Sequence, residues 1–419
     1  MSADDDGTTG QGFSTRAIRA ASRAPDVPQL PTAVPIYQSA TFSTADADEL
    51  TEVTAGREAG FVYSRLGNPT TAALADAYAE LAGGEAGATF ATGMAAVHAT
   101  LATLVRAGDR IVATSALYGS TRTLLDGLFT RFGVRLAFVD IRDHEAVAAA
   151  LAAERTTLLY AETISNPTIV VADHVALADL AHRHGARYVV DNTFASPYVC
   201  RPLELGADVV LESATKFIGG HSDVMGGVVA GDRATIAAIQ KTHVDTGGTL
   251  APLAAFLILR GLQTLAIRMD RHAATALALA TWLETRPEVA SVAYPRLASH
   301  AQHALAQRQL GSGGGMLAFD LAGGRTAGPA FIDALRVPER TASLGSVHTV
   351  VVHPPTTSHR QLDEAGLAEA GIGPGLLRCS VGLEDADDLI ADFGRALDAI
   401  GNETRPAAPA LTAPAGSIG

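Results

Sequence analysis

One lysine in this chain stands where an amine could do covalent chemistry. The run Gly206-Ala-Asp-Val-Val-Leu-Glu-Ser-Ala-Thr-Lys-Phe-Ile-Gly-Gly220 passes from an apolar stretch (Val209, Val210, Leu211) through two hydroxyl residues, Ser213 and Thr215, to Lys216. The stretch reads as a buried strand. An amine at its mouth is costly unless its charge is tuned or consumed. Schiff-base formation with a carbonyl uses a desolvated amine of this kind. The flanking hydroxyls can hold a phosphate close to that carbonyl, which points to pyridoxal 5′-phosphate (PLP). For an isolated Ser-Ala-Thr-Lys, a strand-end lysine that simply reaches water fits about equally well.

The other parts of a PLP site are present. Arg187-Tyr-Val-Val-Asp191 is a second short apolar strand, and it ends in a carboxylate 25 positions before Lys216. That distance allows a crossover back to a parallel strand. A buried carboxylate can keep the cofactor's ring nitrogen protonated, as electron withdrawal requires. Thr92, Gly93 and Met94 sit where a strand turns into a helical pattern, so their backbone N–H groups could cradle an anion. Tyr63 and Arg65, in Tyr-Ser-Arg-Leu-Gly-Asn-Pro-Thr, offer a hydroxyl and a planar guanidinium to phosphate. Asn68 and Pro69 then read as N-cap and first residue of a helix ending at Gly83, with Leu74, Tyr78 and Leu81 on one face.

Together these residues resemble those of the Cys/Met-metabolism PLP enzymes, in order, over roughly residues 12–400. That family includes cystathionine γ-synthases and γ-lyases, methionine γ-lyases and O-acylhomoserine sulfhydrylases. The resemblance implies a PLP-dependent transferase fold of type I, an α/β fold with a mostly parallel sheet in a large domain and a smaller C-terminal α/β domain. It implies that Lys216 forms the Schiff base, Asp191 pairs with the pyridinium and Ser213 and Thr215 bind phosphate with Gly93 and Met94. Tyr118 matches the tyrosine stacked on the ring and credited with acid–base work. Asn166 matches the residue bonded to the phenolic oxygen, Arg378 the clamp on the substrate α-carboxylate, and Ser343 the serine that steers lysine and substrate. Tyr63 and Arg65 match a pair sent across a dimer interface to the neighbour's phosphate, and Pro35–Phe42 resembles the family's arm. A homodimer with shared sites, paired into a tetramer, is therefore expected.

Departures from the pattern bear on substrate. Ala342 stands where cystathionine-processing lyases tend to carry a glutamate that reads a distal amine, nearer the methionine γ-lyase pattern. Ser120, however, stands where methionine γ-lyases carry a characteristic cysteine. Glu212 replaces the usual histidine before Ser-Ala-Thr-Lys and carries no functional reading here. His348, His353 and Thr356–His359 fall in the loop region at the family's substrate entrance, where a lone histidine is more often a packing or solvated residue. The closest patterns are those of methionine γ-lyases and homoserine-ester sulfhydrylases.

Composition agrees. At 419 residues, 47% hydrophobic and 5% aromatic, the chain suits a two-domain Ala/Val/Leu-rich α/β core. A net charge of −13 leaves no basic stripe for nucleic acid. The longest apolar stretch, Leu250–Leu259, is too short to span a bilayer and contains Pro252. Cys200 and Cys379 have no metal-ligand spacing, the acidic start lacks a signal-peptide core, and a cytoplasmic protein with reduced thiols is expected. The pattern divides into an arm (1–60, with 1–11 disordered), a large PLP-binding domain (61–255), a C-terminal domain (256–402) and a disordered tail (403–419). Strands are expected at 89–92, 110–114, 135–140, 158–162, 188–191, 209–212, 225–230, 316–321 and 376–381.

The expected activity is γ-elimination on a γ-substituted L-amino acid, releasing thiol, α-keto acid and ammonia, or γ-replacement on a homoserine ester. Both fates use the same residues. A PLP aminotransferase or decarboxylase would also need the Asp–Lys pair, but the Tyr63/Arg65 and Tyr118 motifs argue against it. A non-catalytic homologue would lose Lys216 or Asp191, and this chain keeps both.

Overall fold

Strands that end in chemistry must first be buried, and this chain buries them on both faces. The computed structural model of the protein describes residues 31–360 and 362–403. The expected disordered start and nearly all of the expected tail lie outside the described residues, although Glu403 itself closes the last helix. By its internal contacts the chain divides after Pro35, and both sheets lie in the unit that begins at Ile36.

The large sheet has seven strands: β1 (Ala86–Phe90), β2 (Arg110–Thr114), β3 (Arg135–Val139), β4 (Leu158–Glu162), β5 (Arg187–Asp191), β6 (Val209–Glu212) and β7 (Gly227–Gly231). Their order is β1-β7-β6-β5-β4-β2-β3. The pairs from β3 to β6 are parallel, and β7 runs antiparallel to both β1 and β6. Every residue of β2, β4, β6 and β7 is buried, which is why they read as continuous apolar runs. Helices Gly93–Leu104 and Arg233–Thr246 cover one face around Leu158, Tyr160, Val189 and Leu211. Helices His144–Ala153 and His174–Arg183 cover the other around Leu159, Val190 and Tyr188, and Pro69–Ala82 and Pro252–Leu262 extend that cover to Val210 and Val228.

The second sheet is antiparallel throughout: β8 (Val289–Ala293), β9 (Met316–Leu321), β10 (Val350–Val352) and β11 (Leu376–Ser380), in the order β10-β11-β9-β8. Its core includes Phe319, Phe331 and Phe393, packed edge to face or tilted with centroids 5.4–6.2 Å apart.

Several expected elements shift. The first strand ends before Thr92, because Thr92 leaves the sheet to cap the following helix, its Oγ1 accepting the Ala95 N–H at 3.0 Å. The strand expected at 225–230 begins at Gly227, after Gly226 has paired with Thr215. Asn68 and Gly83 cap their helix as expected, the latter at φ 77°. Leu74 and Tyr78 are buried, but Leu81, in the last turn, is exposed. Helix Ala47–Thr54 and the short strands β8 and β10 carry no comparable signal in the sequence.

Among the described residues no single helix is long and apolar enough to cross a membrane. The one pair that would pass together, Pro252–Leu262 with Leu265–Leu283, is bent by 61°.

Candidate active site

Parallel strands all deliver their carboxyl ends to one edge, and loops that leave this edge carry the chemistry. Here β2 leads to Tyr118, β4 ends in Glu162 and leads to Asn166, β5 ends in Asp191, and β6 leads through Ser213 to Lys216. All six line one cavity of about 940 Å³. The small sheet closes it with Arg378, on β11, and with the loop that carries Ala342 and Ser343.

Lys216 is mostly buried, and burial together with the nearby Arg378 charge lowers its amine to a pKa of about 8. Its Nζ donates to Ser343 Oγ at 2.7 Å. Ser343 itself is held at φ 94°, a left-handed conformation unusual for a residue other than glycine. Two residues on, Gly345 (φ 74°) crosses directly over the lysine: a Cβ there would lie 2.6 Å from the Phe217 nitrogen. Arg268 fixes the turn after the lysine by donating to the carbonyls of Phe217, Ile218 and Gly261 at 2.6, 3.2 and 2.7 Å.

Asp191 is half-buried, and desolvation raises it above its ordinary value although Thr193 donates its N–H at 3.0 Å. Its registered neighbour across the sheet is Glu162. Burial and the Asp191 charge push Glu162 up to about 8. Tyr160, buried on the same face, is raised by burial and by the charges of Asp191 and Glu162. Arg378 is buried, with its pKa lowered to about 10 by desolvation. It donates to Asn166 Oδ1 at 3.0 Å and to the Ser343 carbonyl at 2.9 Å, while its Nε has no partner among the described residues.

These residues fit PLP. Asp191 is a half-buried acid whose ionised form has no cation partner among the described residues, and a protonated ring nitrogen would supply one. Gly93 opens its helix so close to β6 that a Cβ would sit 2.6 Å from Ser213 Cβ, so only glycine lets the helix N-terminus and Ser213 share a phosphate. Thr215 Oγ1 lies beside them, bonded to Gly226. The unpartnered Arg378 Nε can serve a carboxylate. Tyr118 is 38% exposed at the mouth.

The pair that the resemblance sends to a neighbour's phosphate stands apart from the others. Tyr63 is 44% exposed, Arg65 donates to the Val244 carbonyl at 2.8 Å, and neither lines the cavity. His348 is exposed and does not line it. His353 does, but both its ring nitrogens are engaged, with Thr356 Oγ1 at 3.0 Å and the Pro374 carbonyl at 2.9 Å, as in a packing residue. The sequence reading passed over Thr193, Glu162 and the mouth arginines Arg340 and Arg360, all of which line the cavity. Glu162 had a signal: like Asp191, it is an acid at the end of an unbroken apolar strand.

A lowered lysine, a cationless aspartate and an anion cradle on the carboxyl edge of a parallel sheet define a PLP-dependent enzyme of fold type I. The chain belongs to the Cys/Met metabolism PLP-dependent enzyme family, whose model matches residues 14–398. It is 43% identical to the L-methionine γ-lyase of Pseudomonas putida over 93% of this chain and 98% of that one. It is also 43% identical to the O-succinylhomoserine sulfhydrylase of Pseudomonas aeruginosa, over 94% and 98%. Cystathionine γ-synthase from Xanthomonas oryzae pv. oryzae, solved in complex with cystathionine, superposes with a TM-score of 0.84 at 38% identity, covering 88% of this chain and 94% of that one.

Proposed function

We propose that the enzyme removes the γ-substituent of an L-amino acid as a methionine γ-lyase does, releasing a thiol, an α-keto acid and ammonia. The observation that carries this reading is Ala342 in the cavity wall next to Ser343. A methyl group there suits a small or apolar distal part and, unlike a carboxylate, offers a distal ammonium no acceptor of its own. The likeness to methionine γ-lyases supports the same choice. PLP, when bound, supplies the electron sink that makes the substrate's Cα and Cβ protons removable.

The chain's own groups do the rest. Arg378 takes the α-carboxylate through its free Nε. Lys216, held by Ser343 and neutral above about pH 8, moves the Cα proton. Asp191 keeps the ring nitrogen protonated, Asn166 orients Arg378, and Ser213, Thr215, Gly93 and Met94 hold phosphate. Tyr118, at the mouth, gives a proton to the leaving group. The same groups would serve γ-replacement on an O-acetyl- or O-succinylhomoserine, a second reading favoured by the sulfhydrylase likeness.

A substrate panel decides between them. Methionine, homocysteine, cystathionine and both homoserine esters are offered with and without thiol, and keto acid and new amino acid are measured separately. Keto acid from methionine is the expected result. Cystathionine cleaved far better than methionine or any ester would overturn the reading.

As the resemblance implies, we assign Tyr63 and Arg65, which do not line this chain's own cavity, to a neighbour's phosphate in a homodimer, paired into a tetramer. Mixing Lys216→Ala with Arg65→Ala chains should restore some activity, and no recovery in verified hybrids would refute shared sites. The division at 60, 255 and 402 belongs to the same proposal and is supported by the change from parallel to antiparallel sheet. A cytoplasmic location is supported by two buried, unpaired cysteines.

A further inference from the structure

Glu162 has no part in the mechanism above, yet it is 4% exposed, lines the cavity and lies beside Asp191. Two acids in register repel each other when both are ionised, and an amide side chain would avoid that. What an amide side chain could not do is accept through two separate oxygens. Oε1 takes the Tyr118 N–H at 2.6 Å, and Oε2 takes the Asn166 N–H at 2.9 Å. A glutamine would turn its NH2 toward one of these donors.

The hydrogen bonds continue outward. Asn166 Oδ1 accepts from Arg378 Nη1, Arg378 Nη2 donates to the Ser343 carbonyl, and Ser343 Oγ holds Lys216 Nζ. One carboxylate therefore fixes the two loops that bring Tyr118 and Asn166 to opposite sides of its own oxygens, and through Asn166 it reaches the arginine.

We propose that Glu162 is a positioning residue: by accepting one N–H from each loop it sets where Tyr118 stands and how Arg378 presents itself to the substrate's α-carboxylate. This rests on the assignment of Arg378 to that carboxylate, so the test begins with a ligand that needs no leaving-group chemistry. Glycine has the amine and the carboxylate alone, and its binding to the PLP-loaded enzyme is read from the change in cofactor absorbance.

Glu162→Gln should weaken glycine binding about tenfold, the scale of one lost hydrogen bond to a charged group. Glu162→Asp, which keeps both carboxyl oxygens but shortens the reach, should not restore it. The double variant Glu162→Gln/Asn166→Ala should bind little worse than Asn166→Ala alone, because Glu162 acts through Asn166. A purely stabilising role would instead lower the melting temperature and leave glycine affinity unchanged or additive, and either result overturns the proposal. Should Arg378→Ala leave glycine binding unaltered, the underlying carboxylate assignment fails, which is a separate outcome from failure of Glu162. If the Gln variant does not hold PLP, hydrogen exchange on the unaltered holoenzyme decides. The Tyr118 and Asn166 amides should exchange at least tenfold more slowly than exposed loop amides, and exchange at the open-loop rate refutes the anchoring.

Discussion

Asp191 and Glu212 end neighbouring parallel strands, the first half-buried and the second buried, both raised above their ordinary values by desolvation, yet they face opposite sides of the sheet. Asp191 pairs with Leu211, so Glu212 is one residue further on and points the other way. On the far side its Oε1 accepts from Tyr78 at 3.1 Å and Asn192 at 3.0 Å, and Asn192 in turn accepts from Thr163, which bonds His174. Each polar group in that chain finds a partner within the protein. On the cavity side, among the described residues, Asp191 has no cation partner and Arg378 Nε no acceptor. Strand parity alone separates an acid that holds the fold from an acid left open for a ligand.

The comparison breaks first at the lysine. Lys216→Ala should abolish turnover, by about 10³-fold or more, while Lys241→Ala, on the exposed face of its helix, should leave it intact. These are the chain's two lysines, so borohydride reduction and peptide mapping have two possible answers, and pyridoxyl on Lys241 would end the argument. Asp191→Ala should cost cofactor retention and rate on the order of 10²-fold, as a lost buried charge pair does, measured by dialysis and kcat.

Glu212 should behave in the opposite way. Glu212→Ala strands Tyr78 and Asn192 and should lower stability by about 2–4 kcal/mol, with kcat in the surviving fold within about twofold. Glu212→Gln tests the sign. Burial makes the folded chain keep a proton that the unfolded chain releases above about pH 4 to 5. Stability from this site is therefore full in acid and declines as pH rises. The glutamine variant should melt at a less pH-dependent temperature toward alkaline pH, and an unchanged slope would mean Glu212 is ionised in the fold. Smallest is the pH dependence of cofactor capture by the PLP-free chain. Its rate should climb to about pH 8 and level off, since Lys216 becomes a free amine there. A climb continuing toward pH 10 would mean the lysine is not desolvated.

The buried strands and the Lys216, Asp191 and Gly93 neighbourhoods were legible because each joins an apolar run to a residue type that the run cannot otherwise tolerate. Glu162 was equally legible by that rule, but it has no cofactor atom to answer to and so drew no attention. Strand β10, three residues long, and the edge strand β8 were not legible, since tertiary pairing rather than local pattern makes them strands. Spacing alone says nothing of why Tyr63 and Arg65 stay outside their own chain's cavity; only the family resemblance sends that pair to a neighbour. Sequence order places residues along a chain, and only the fold says which of them meet.

Ser343 gives its hydroxyl to the lysine and its carbonyl to Arg378, from a backbone held in an unfavoured conformation beside Ala342. A lineage seeking a new substrate through position 342 must therefore mutate next to a residue that tunes reactivity and anchoring at once. Selectivity and catalytic competence are inherited together on this loop, and changes at 342 that succeed in evolution should come with compensating changes at 341, 344 or the lysine turn.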